Sequence, residues 1–282
     1  MKRILVTGAN GQLGSELNLL SKKHSEYEWI FADRTKITLD DLDLLETQLK
    51  EIQPNIIFNC GAYTAVDKAE SEKELAFRIN CLAVKIIARY AVNNNINLIH
   101  ISTDYVFDGN TSIALSEDAE TNPINVYGAS KRAGEIACLE ENPNSIIIRT
   151  SWVYSKFGNN FVKTMQKLMQ EKEEISVVND QIGSPTYAVD LANVLIDILE
   201  SKKWIPGIFN YSNEGEISWY EFALLIKELG MYKCNVKPIP TSAYQTQAKR
   251  PKFSLLSKER IKAIYNINIP DYKESLKKCL NS

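Results

Sequence analysis

The first twenty residues constrain the fold more than any other segment of the chain. Residues 3–7 form a short apolar run that is rich in strand formers and too short for a helix. The run is followed by glycines at intervals of three and by leucines at helical spacing: Gly8, Gly11, Gly14, Leu13, Leu17 and Leu20. Ordinary strand-to-helix turns also use glycine. At the N-terminus, however, this order favours a dinucleotide site, in which the backbone approaches a pyrophosphate beside a helix N-terminus.

Strand-like and helix-like patterns alternate through the first half of the chain. After the first strand and helix, further strands are predicted at residues 28–33, 55–59, 97–102 and 145–149. The helices between them are predicted at about 40–51, 70–93 and 125–140. This alternation is typical of a parallel sheet with helices on both faces, so we expect an α/β fold built on a Rossmann-like, doubly wound parallel sheet.

The pattern becomes less regular after residue 150. Helical patterns near 158–171, 188–200 and 218–229 alternate with short apolar pieces at 175–178 and 207–211. We therefore expect residues 1–150 to form a dinucleotide-binding domain whose sheet is completed by later segments. Residues 151–282 are expected to form mainly a smaller, mixed α/β substrate-binding lobe.

Composition excludes several other classes of protein. The 282 residues carry a net charge of -2 and a pI of about 5.9, so no basic surface is expected to bind nucleic acid. No apolar stretch approaches the ~20 residues of a membrane span, and no signal-peptide pattern is present. The five cysteines lack a C-x-x-C spacing and indicate reduced thiols in a cytoplasmic protein. With only His24 and His100, a zinc cluster or a Ser-His-Asp triad has little material, and His100 is interpreted as a packed core residue.

Tyr127 and Lys131 are the strongest candidates for chemistry. They lie four residues apart in a predicted helix, so both side chains occupy one helix face. A phenol ionises near pH ~10, and a neighbouring ammonium group favours the phenolate and brings the phenol into a useful range. By itself the spacing is more typical of an exposed polar pair on a surface helix, and the neighbouring motifs are what favour the catalytic interpretation.

Thr103 strengthens the catalytic interpretation. It lies at the carboxyl end of the fourth predicted strand, where parallel sheets bind their ligands. A threonine hydroxyl can polarise a carbonyl oxygen, Tyr127 can supply a proton, and Lys131 can tune the tyrosine and bind a nicotinamide ribose. Together with the glycine turn, these groups indicate hydride transfer rather than attack by a nucleophile.

Seven segments together carry a family resemblance that covers essentially the whole chain. They are residues 6–14 (VTGANGQLG), 62–67 (AYTAVD), 102–107 (STDYVF), 127–131 (YGASK), 149–152 (RTSW), 180–186 (DQIGSPT) and 250–251 (RP). The chain resembles the extended short-chain dehydrogenase/reductases and, within them, the dTDP-4-dehydrorhamnose reductase family. The glycine turn and the YGASK segment are shared widely, whereas the TDYVF, TSW and DQxGxPT runs are more particular to these reductases.

The resemblance implies a reaction and a set of site residues. The reaction is reduction of the C4 ketone of dTDP-4-dehydro-β-L-rhamnose to dTDP-β-L-rhamnose, with Tyr127 as general acid and Lys131 as its partner. Thr103 would hydrogen-bond the developing alkoxide. The substrate-binding residues implied are Thr103, Asp104, Tyr105, Trp152 and Arg250. A core aromatic residue is the alternative for Trp152, but its place just after a predicted strand end favours a sugar-binding face. Arg250 is a candidate for the nucleotide diphosphate, with a surface arginine before a proline as the alternative.

The expected cofactor is a nicotinamide dinucleotide. Its binding residues are predicted to be Gly8, Asn10, Gly11, Gln12, Leu13, Gly14, Asp33, Arg34, Ala62, Tyr63 and Thr64, together with Tyr127 and Lys131. Asp33 follows Gly14 by 19 residues, the usual place for an acidic residue on a ribose 2′-hydroxyl, and favours NADH. Arg34 and Lys36 would instead accept a 2′-phosphate, so we expect NADPH, with NADH also usable.

The resemblance leaves a homodimer and an interfacial magnesium ion open. Some relatives bridge a dimer with magnesium through acidic side chains, and Glu16 and Asp190 match such positions. Val189 is apolar where an acidic pair would be complete, so no metal site is predicted.

Two rival functions also remain open. One is another nucleotide-sugar reductase or epimerase of the same superfamily. The other is a non-catalytic subunit with this fold, like the regulatory subunit of methionine adenosyltransferase. The presence of threonine, tyrosine and lysine together favours an enzyme over such a subunit.

Overall fold

The computed structural model describes all of residues 1–282, which form twelve strands and eleven α-helices. The strands are β1 (Lys2–Thr7), β2 (Tyr27–Ala32), β3 (Ile56–Asn59), β4 (Asn97–Thr103), β5 (Ile146–Thr150), β6 (Val153–Tyr154), β7 (Glu174–Val178), β8 (Ile182–Gly183), β9 (Thr186–Tyr187), β10 (Gly207–Tyr211), β11 (Ile217–Ser218) and β12 (Asn235–Ile239). The helices are α1 (Gln12–Leu20), α2 (Leu42–Ile52), α3 (Val66–Ala69), α4 (Lys73–Phe77), α5 (Ala83–Asn93), α6 (Val126–Glu141), α7 (Phe161–Glu171), α8 (Ala188–Glu200), α9 (Trp219–Leu229), α10 (Glu259–Tyr265) and α11 (Tyr272–Leu280).

Six strands form one parallel sheet in the order β10-β5-β4-β3-β1-β2. The chain leaves β1 toward β2 on one side and returns to β3 on the other, which places the topological switch point between β1 and β3. In the register of the sheet, Thr7 pairs with Asn59 and Thr103 pairs with Thr150. The carboxyl ends of these strands therefore meet at one edge.

Alternate residues of β1 enter different cores, as the period of two in a strand requires. Ile4 and Val6 join the core that contains α8, whereas Leu5 joins the core that contains α2 and α5. Both faces of the sheet are therefore buried by helices. The doubly wound α/β fold expected from the sequence is confirmed.

A third core lies in the second half of the chain. It combines α7, α9 and α11 with the parallel pair β7–β12. The second half also supplies β10 to the edge of the main sheet and α8 to one of its faces. No helix of the structure combines the length and the apolar composition needed to cross a membrane.

The predicted strands agree with β2 to β5 to within one residue at each end. The predicted helix at 70–93 is partly wrong. Residues 70–71 form a turn after α3, and the helical path that starts at Lys73 contains a π turn over Arg78–Leu82 before α5. This turn brings the buried Asn80 side chain against the backbone of Tyr63, a tertiary contact that local helix periodicity does not encode.

Two glycines let α6 approach its neighbours closely. A Cβ atom on Gly134 would lie 2.0 Å from the Asn80 carbonyl oxygen, and one on Gly128 would lie 2.1 Å from the Tyr105 carbonyl oxygen. Both neighbours are backbone atoms, which cannot rotate away as a side chain can. The close packing of α6 therefore depends on hydrogen atoms at these two positions.

Replacing Gly134 with alanine should destabilise the fold. Alanine forms helices better than glycine by about 1 kcal/mol, but the collision with Asn80 forces a backbone shift that costs about 1–3 kcal/mol or more. We expect a lower urea midpoint with an unchanged m-value. Glu140→Ala on the exposed side of the same helix is the control and should change stability by no more than about 0.5 kcal/mol. A Gly134→Ala protein as stable as the wild type would contradict this account of α6 packing.

Candidate active site

Asn125 determines where α6 begins. Its side-chain oxygen accepts a hydrogen bond from the Gly128 N–H at 2.7 Å, which is the usual N-cap arrangement. Its side-chain nitrogen donates to the Lys249 carbonyl at 2.8 Å and so connects the helix to the segment before Arg250. The cap places Tyr127 in the first turn and Lys131 one turn later on the same face.

Thr103 ends β4 beside Tyr127. Its hydroxyl donates to the Asp104 carboxylate at 3.0 Å and accepts from the Tyr105 N–H at 3.2 Å. The Tyr105 ring packs edge-on against the Tyr127 ring, with ring centres 5.7 Å apart. Burial raises the pKa of Tyr127 to about 12, the polar contact with Thr103 lowers it, and Asp104 raises it further.

Lys131 is buried behind this group. Its ammonium donates to the Ile101 carbonyl at 2.6 Å and lies 3.4 Å from Nε2 of His100. Burial lowers the pKa of Lys131 to about 8, against the attraction of Glu135. The predicted lowering of the Tyr127 pKa by Lys131 stays a prediction, because burial, Thr103 and Asp104 are the influences on that pKa here.

A buried ion pair fastens α6 to the sheet. Arg149 of β5 donates two hydrogen bonds of 2.8 Å to the carboxylate of Glu135, and Ser102 of β4 donates a third at 2.6 Å. Arg149 and Glu135 are almost completely inaccessible to solvent. Paired and fully hydrogen-bonded, these charges hold the helix face that carries Lys131 against the strand that carries Thr103.

Asn80 is a site residue that the sequence reasoning missed. Its amide pairs with both backbone groups of Tyr63, at 2.9 and 3.0 Å, and donates to the Ser130 hydroxyl at 3.0 Å. Ser130 in turn donates to the Tyr127 carbonyl at 2.7 Å. Asn80 thus connects the predicted cofactor-lining run at 62–64 to α6. An asparagine within an otherwise apolar helical pattern was the available signal.

The glycine turn has the shape expected of a phosphate site. Gly8 has φ +68°, and a Cβ there would lie 2.7 Å from Gly61, while one on Gly14 would lie 2.4 Å from the Gly8 carbonyl oxygen. Gly11 is the N-cap of α1, which has neither a side-chain cap nor an acidic residue in its first turn. The first N–H groups of α1 are therefore available to an anion, and the turn fits a dinucleotide pyrophosphate.

The end of β2 carries the predicted ribose-binding residues. Asp33 accepts hydrogen bonds from the backbone and hydroxyl of Thr35, at 2.9 and 2.7 Å, which lower its pKa. Asn10 of the glycine turn donates to the same carboxylate at 3.4 Å. Arg34 and Lys36 are exposed beside it. The acidic and basic candidates thus lie together at one end of the sheet.

Trp152 follows β5 of the main sheet and packs against the core in the second half of the chain. It has φ +48°, and its half-buried ring stacks on Trp219 with ring centres 3.5 Å apart. Gly183 makes room for the ring, since a Cβ there would lie 2.9 Å from it. Trp152 is therefore neither a fully buried core residue nor a free surface side chain.

Arg250 is paired rather than free. Its guanidinium bonds both carboxylate oxygens of Asp67, at 2.8 and 3.3 Å, and lowers the pKa of that carboxyl. Asp67 closes the 62–67 motif, so the pair connects that motif to the RP dipeptide near the C-terminus.

Glu16 and Asp190 have internal hydrogen-bond partners. Ser155 donates to Glu16 at 2.6 Å, and Asn213 donates to Asp190 at 2.7 Å. Both acidic residues are buried. Their hydrogen bonds join α1 to the 155 loop and α8 to residue 213.

Comparison with known proteins identifies the family. The family profile described as RmlD substrate binding domain matches residues 1–282. A dTDP-4-dehydrorhamnose reductase of Aggregatibacter actinomycetemcomitans is 39% identical, over 98% of each chain. The crystal structure of a Bacillus anthracis dTDP-4-dehydrorhamnose reductase in complex with NADP has a TM-score of 0.95 and 40% identity, covering 100% of this chain and 99% of that one. A Clostridium acetobutylicum ortholog has a TM-score of 0.95 and 38% identity, covering 99% and 98%.

The chain belongs to the dTDP-4-dehydrorhamnose reductase family. The resemblance inferred from the seven motifs is thereby confirmed, and it extends over the whole chain. As a member of this reductase family, the protein is an enzyme, a nicotinamide-dependent oxidoreductase.

The stability of the folded protein should depend on the protonation of Asp104. Burial raises the pKa of Asp104 to about 6 from its ordinary 3.8, so the folded state holds this proton more tightly than the unfolded chain does. Wild-type stability contributed by the neutral carboxyl should be lost as pH rises from about 4 through about 6, a change of up to roughly 3 kcal/mol. Asp104→Asn should therefore gain stability relative to the wild type over this range, measured by urea unfolding at several pH values.

Asp108 provides a control of opposite sign. Hydrogen bonds from Asn110 and Asn122 lower its pKa, so its ionised form stabilises the fold above the pKa of the unfolded chain. Asp108→Asn should lose stability relative to the wild type as pH rises. Parallel pH dependence in the two variants would refute the assignment for Asp104.

Proposed function

We propose that this enzyme reduces the C4 ketone of dTDP-4-dehydro-β-L-rhamnose to dTDP-β-L-rhamnose, with NADPH preferred over NADH. Family membership over the whole chain supports the substrate. The observation that carries the proposal is the convergence of Thr103, Tyr127 and Lys131 where β4 ends against α6. A carbonyl placed there meets a hydroxyl, a phenol and a buried amine.

The cofactor is proposed to lie across the switch point of the sheet. The glycine turn and the N-terminus of α1 would hold the pyrophosphate, and residues 62–64 would line its path toward Tyr127 and Lys131. The NADP complex of the Bacillus anthracis relative supports the phosphorylated cofactor. Arg34 and Lys36 supply the positive charge that a 2′-phosphate requires. When bound, the reduced nicotinamide supplies the hydride.

The three central residues would divide the remaining chemistry. The Thr103 hydroxyl would turn its single proton from the Asp104 carboxylate to the ketone oxygen, and this bond would strengthen as negative charge grows there. Tyr127 gives its phenolic proton to that oxygen, which becomes the hydroxyl of the product. Lys131 binds the ribose and stabilises the phenolate left behind.

The sugar nucleotide would lie against the second lobe. Trp152, backed by Trp219, offers a flat apolar face to the pyranose ring, and Asp104 and Tyr105 border the same space. Arg250 uses three of its five N–H donors, on Asp67 and the Ala248 carbonyl, and retains donors for the diphosphate.

The two halves of the chain are proposed to have different functions. Residues 1–150 would bind the dinucleotide, and residues 151–282 would mainly bind the substrate while also completing the sheet. We place the reaction in the cytoplasm, which is supported by five cysteines that are all free thiols.

The direct test is an assay of NADPH and NADH oxidation with dTDP-4-dehydro-L-rhamnose generated in situ. Substrate-dependent oxidation with dTDP-L-rhamnose as the product is expected, at a higher rate with NADPH. A talose product would retain the chemistry and overturn the stereochemical assignment. Cofactor binding without turnover would refute the proposed reaction and favour a regulatory subunit.

Tyr127→Phe should lower kcat about 10²–10⁴-fold, because it removes the proton donor while keeping the ring. The KM for the sugar nucleotide should change little, since the lost interaction belongs to the transition state. Steady-state kinetics at saturating NADPH measure both constants. Tyr90→Phe, on α5, is the matched control and should retain wild-type turnover. Near-normal turnover in Tyr127→Phe would rule out this residue as the acid.

Arg34→Ala should weaken the use of NADPH and leave the use of NADH nearly unchanged. A hydrogen bond between charged groups contributes about 1.5–3 kcal/mol, so the KM for NADPH should rise about tenfold or more. Arg89→Ala, an exposed arginine on α5, is the control. An equal effect on both cofactors would show that Arg34 does not contact the 2′-phosphate.

A further inference from the structure

A continuous chain of buried hydrogen bonds connects the glycine turn to Lys131. It starts at Thr7, crosses the sheet through Asn59 of β3 and His100 of β4, and ends at the Lys131 amine on α6. His100 is 0% exposed and Lys131 is 1% exposed. The proposed mechanism uses Lys131 but assigns no task to the histidine beside it.

The distances along this chain are within hydrogen-bond range, and the contact between His100 and Lys131 is the longest. The Thr7 hydroxyl lies 2.7 Å from Oδ1 of Asn59, and Nδ2 of Asn59 lies 3.0 Å from Nδ1 of His100. Nε2 of His100 lies 3.4 Å from Nζ of Lys131, which also donates to the Ile101 carbonyl at 2.6 Å.

The hydrogen-bond partners of Thr7 and Asn59 determine which nitrogen of His100 carries the proton. The Gly61 N–H donates to the Thr7 hydroxyl oxygen at 3.0 Å, so the Thr7 proton is directed to the Asn59 oxygen. The Asn59 amide therefore presents its N–H₂ group to Nδ1 of His100, which must accept. A neutral imidazole then carries its proton on Nε2, the atom that faces Lys131.

An Nε2–H group matches only one form of the lysine. A neutral amine can accept a hydrogen bond from Nε2–H while donating to the Ile101 carbonyl. An ammonium group has no lone pair and cannot accept a hydrogen bond. The Lys131 ammonium and the His100 Nε2–H group would then be two donors placed against each other. Reversing the Asn59 amide would relieve this contact but would leave the Thr7 hydroxyl proton without its acceptor, at a cost typical of an unsatisfied buried group.

We propose that His100, held as the Nε2–H tautomer by Asn59 and Thr7, is a positioning residue that seats the Lys131 amine and disfavours its ammonium form. The charge on Lys131 is then set by the network beneath the site as well as by burial.

The other groups around Lys131 act in the opposite direction. Glu135 and Cys138 of α6 and Cys60 after β3 each favour the ammonium, and Arg149 neutralises much of the Glu135 charge. Burial still lowers the pKa of Lys131 to about 8. Burial and the charge of Lys131 hold the pKa of His100 well below its ordinary value, against a backbone hydrogen bond with Asn59 that raises it. A neutral His100 and a lysine that titrates near neutral pH are consistent with the hydrogen-bond accounting.

The kinetic consequence rests on the proposed function. If the Lys131 ammonium binds the ribose and stabilises the phenolate, kcat falls as pH rises through the pKa of Lys131. A variant that favours the ammonium would move this alkaline limb to higher pH. The tautomer of His100 and the titration of Lys131 are read without turnover, so they remain decisive even if the proposed substrate is wrong.

The first experiment uses the wild-type protein. Long-range ¹H–¹⁵N correlation spectra of ¹⁵N-histidine-labelled enzyme distinguish the two neutral tautomers and the imidazolium. We expect the Nε2–H tautomer for His100 at neutral pH, with the resonance assigned by its loss in His100→Gln. An Nδ1–H tautomer or a protonated ring would overturn the proposal.

The second experiment titrates Lys131 in ¹³Cε-lysine-labelled protein, with its resonance assigned by its loss in Lys131→Arg. His100→Gln offers an amide oxygen to the lysine, so the Lys131 midpoint should rise by about one pH unit. His100→Phe removes the donor and should raise the midpoint by a smaller amount, which keeps the test open if the glutamine variant fails to fold. An unchanged midpoint in a folded variant would refute the proposal.

His24→Gln makes the same substitution at the other histidine of the chain, which lies half-buried beside Glu200. It should leave the Lys131 midpoint and the pH profile unchanged. The main effect of His100→Gln should be a shift of the alkaline limb of the pH profile to higher pH. Its effect on kcat at neutral pH should be small by comparison. Loss of kcat at every pH with an unmoved limb would indicate a packing role only and would contradict the proposal.

Discussion

The packing of α6 against β4 and β5 is the contact on which the proposed active site depends. Two glycines, Gly128 and Gly134, let the helix backbone approach within reach of neighbouring carbonyls, and the buried pair of Glu135 and Arg149 fastens it to the sheet. Removing one partner of such a pair typically costs 3–5 kcal/mol, because a buried charge is left alone. The buried pair therefore helps to hold α6 in the position that places Tyr127 beside Thr103.

Burial acts on the two titratable groups of α6 in opposite directions. It raises the pKa of Tyr127 and lowers the pKa of Lys131, since both shifts favour the neutral form. The interior thus moves the two pKa values apart, to about 12 for Tyr127 and about 8 for Lys131. The hydrogen-bonded chain through Asn59 and His100 adds a second effect on the charge of Lys131, which depends on the orientation of the His100 hydrogen bond. The chain also connects Lys131 to the turn proposed to hold the cofactor.

Much of the fold could be predicted because it is encoded locally. Each of the patterns used for the prediction involves residues that are close together in the sequence. They are the glycine spacing at residues 8–14, the period of two in the strands and the four-residue interval from Tyr127 to Lys131. The π turn at Arg78–Leu82 could not be predicted in this way, because Asn80 gains its partners, Tyr63 and Ser130, only when two distant segments meet. The same holds for the stacking of Trp152 on Trp219 and for the pairing of Arg250 with Asp67.

The sequence by itself determined the α/β alternation, the glycine turn, the family and the identity of the Thr, Tyr and Lys candidates, because periodicity and motif spacing are properties of the chain. Only the tertiary structure decided how these side chains are protonated and paired. His100 illustrates the difference. Its place in an apolar strand indicated a core residue, and it is buried. Its position between Asn59 and Lys131 follows from the register of β3 with β4 and from the packing of α6, and these long-range contacts control its hydrogen bonds.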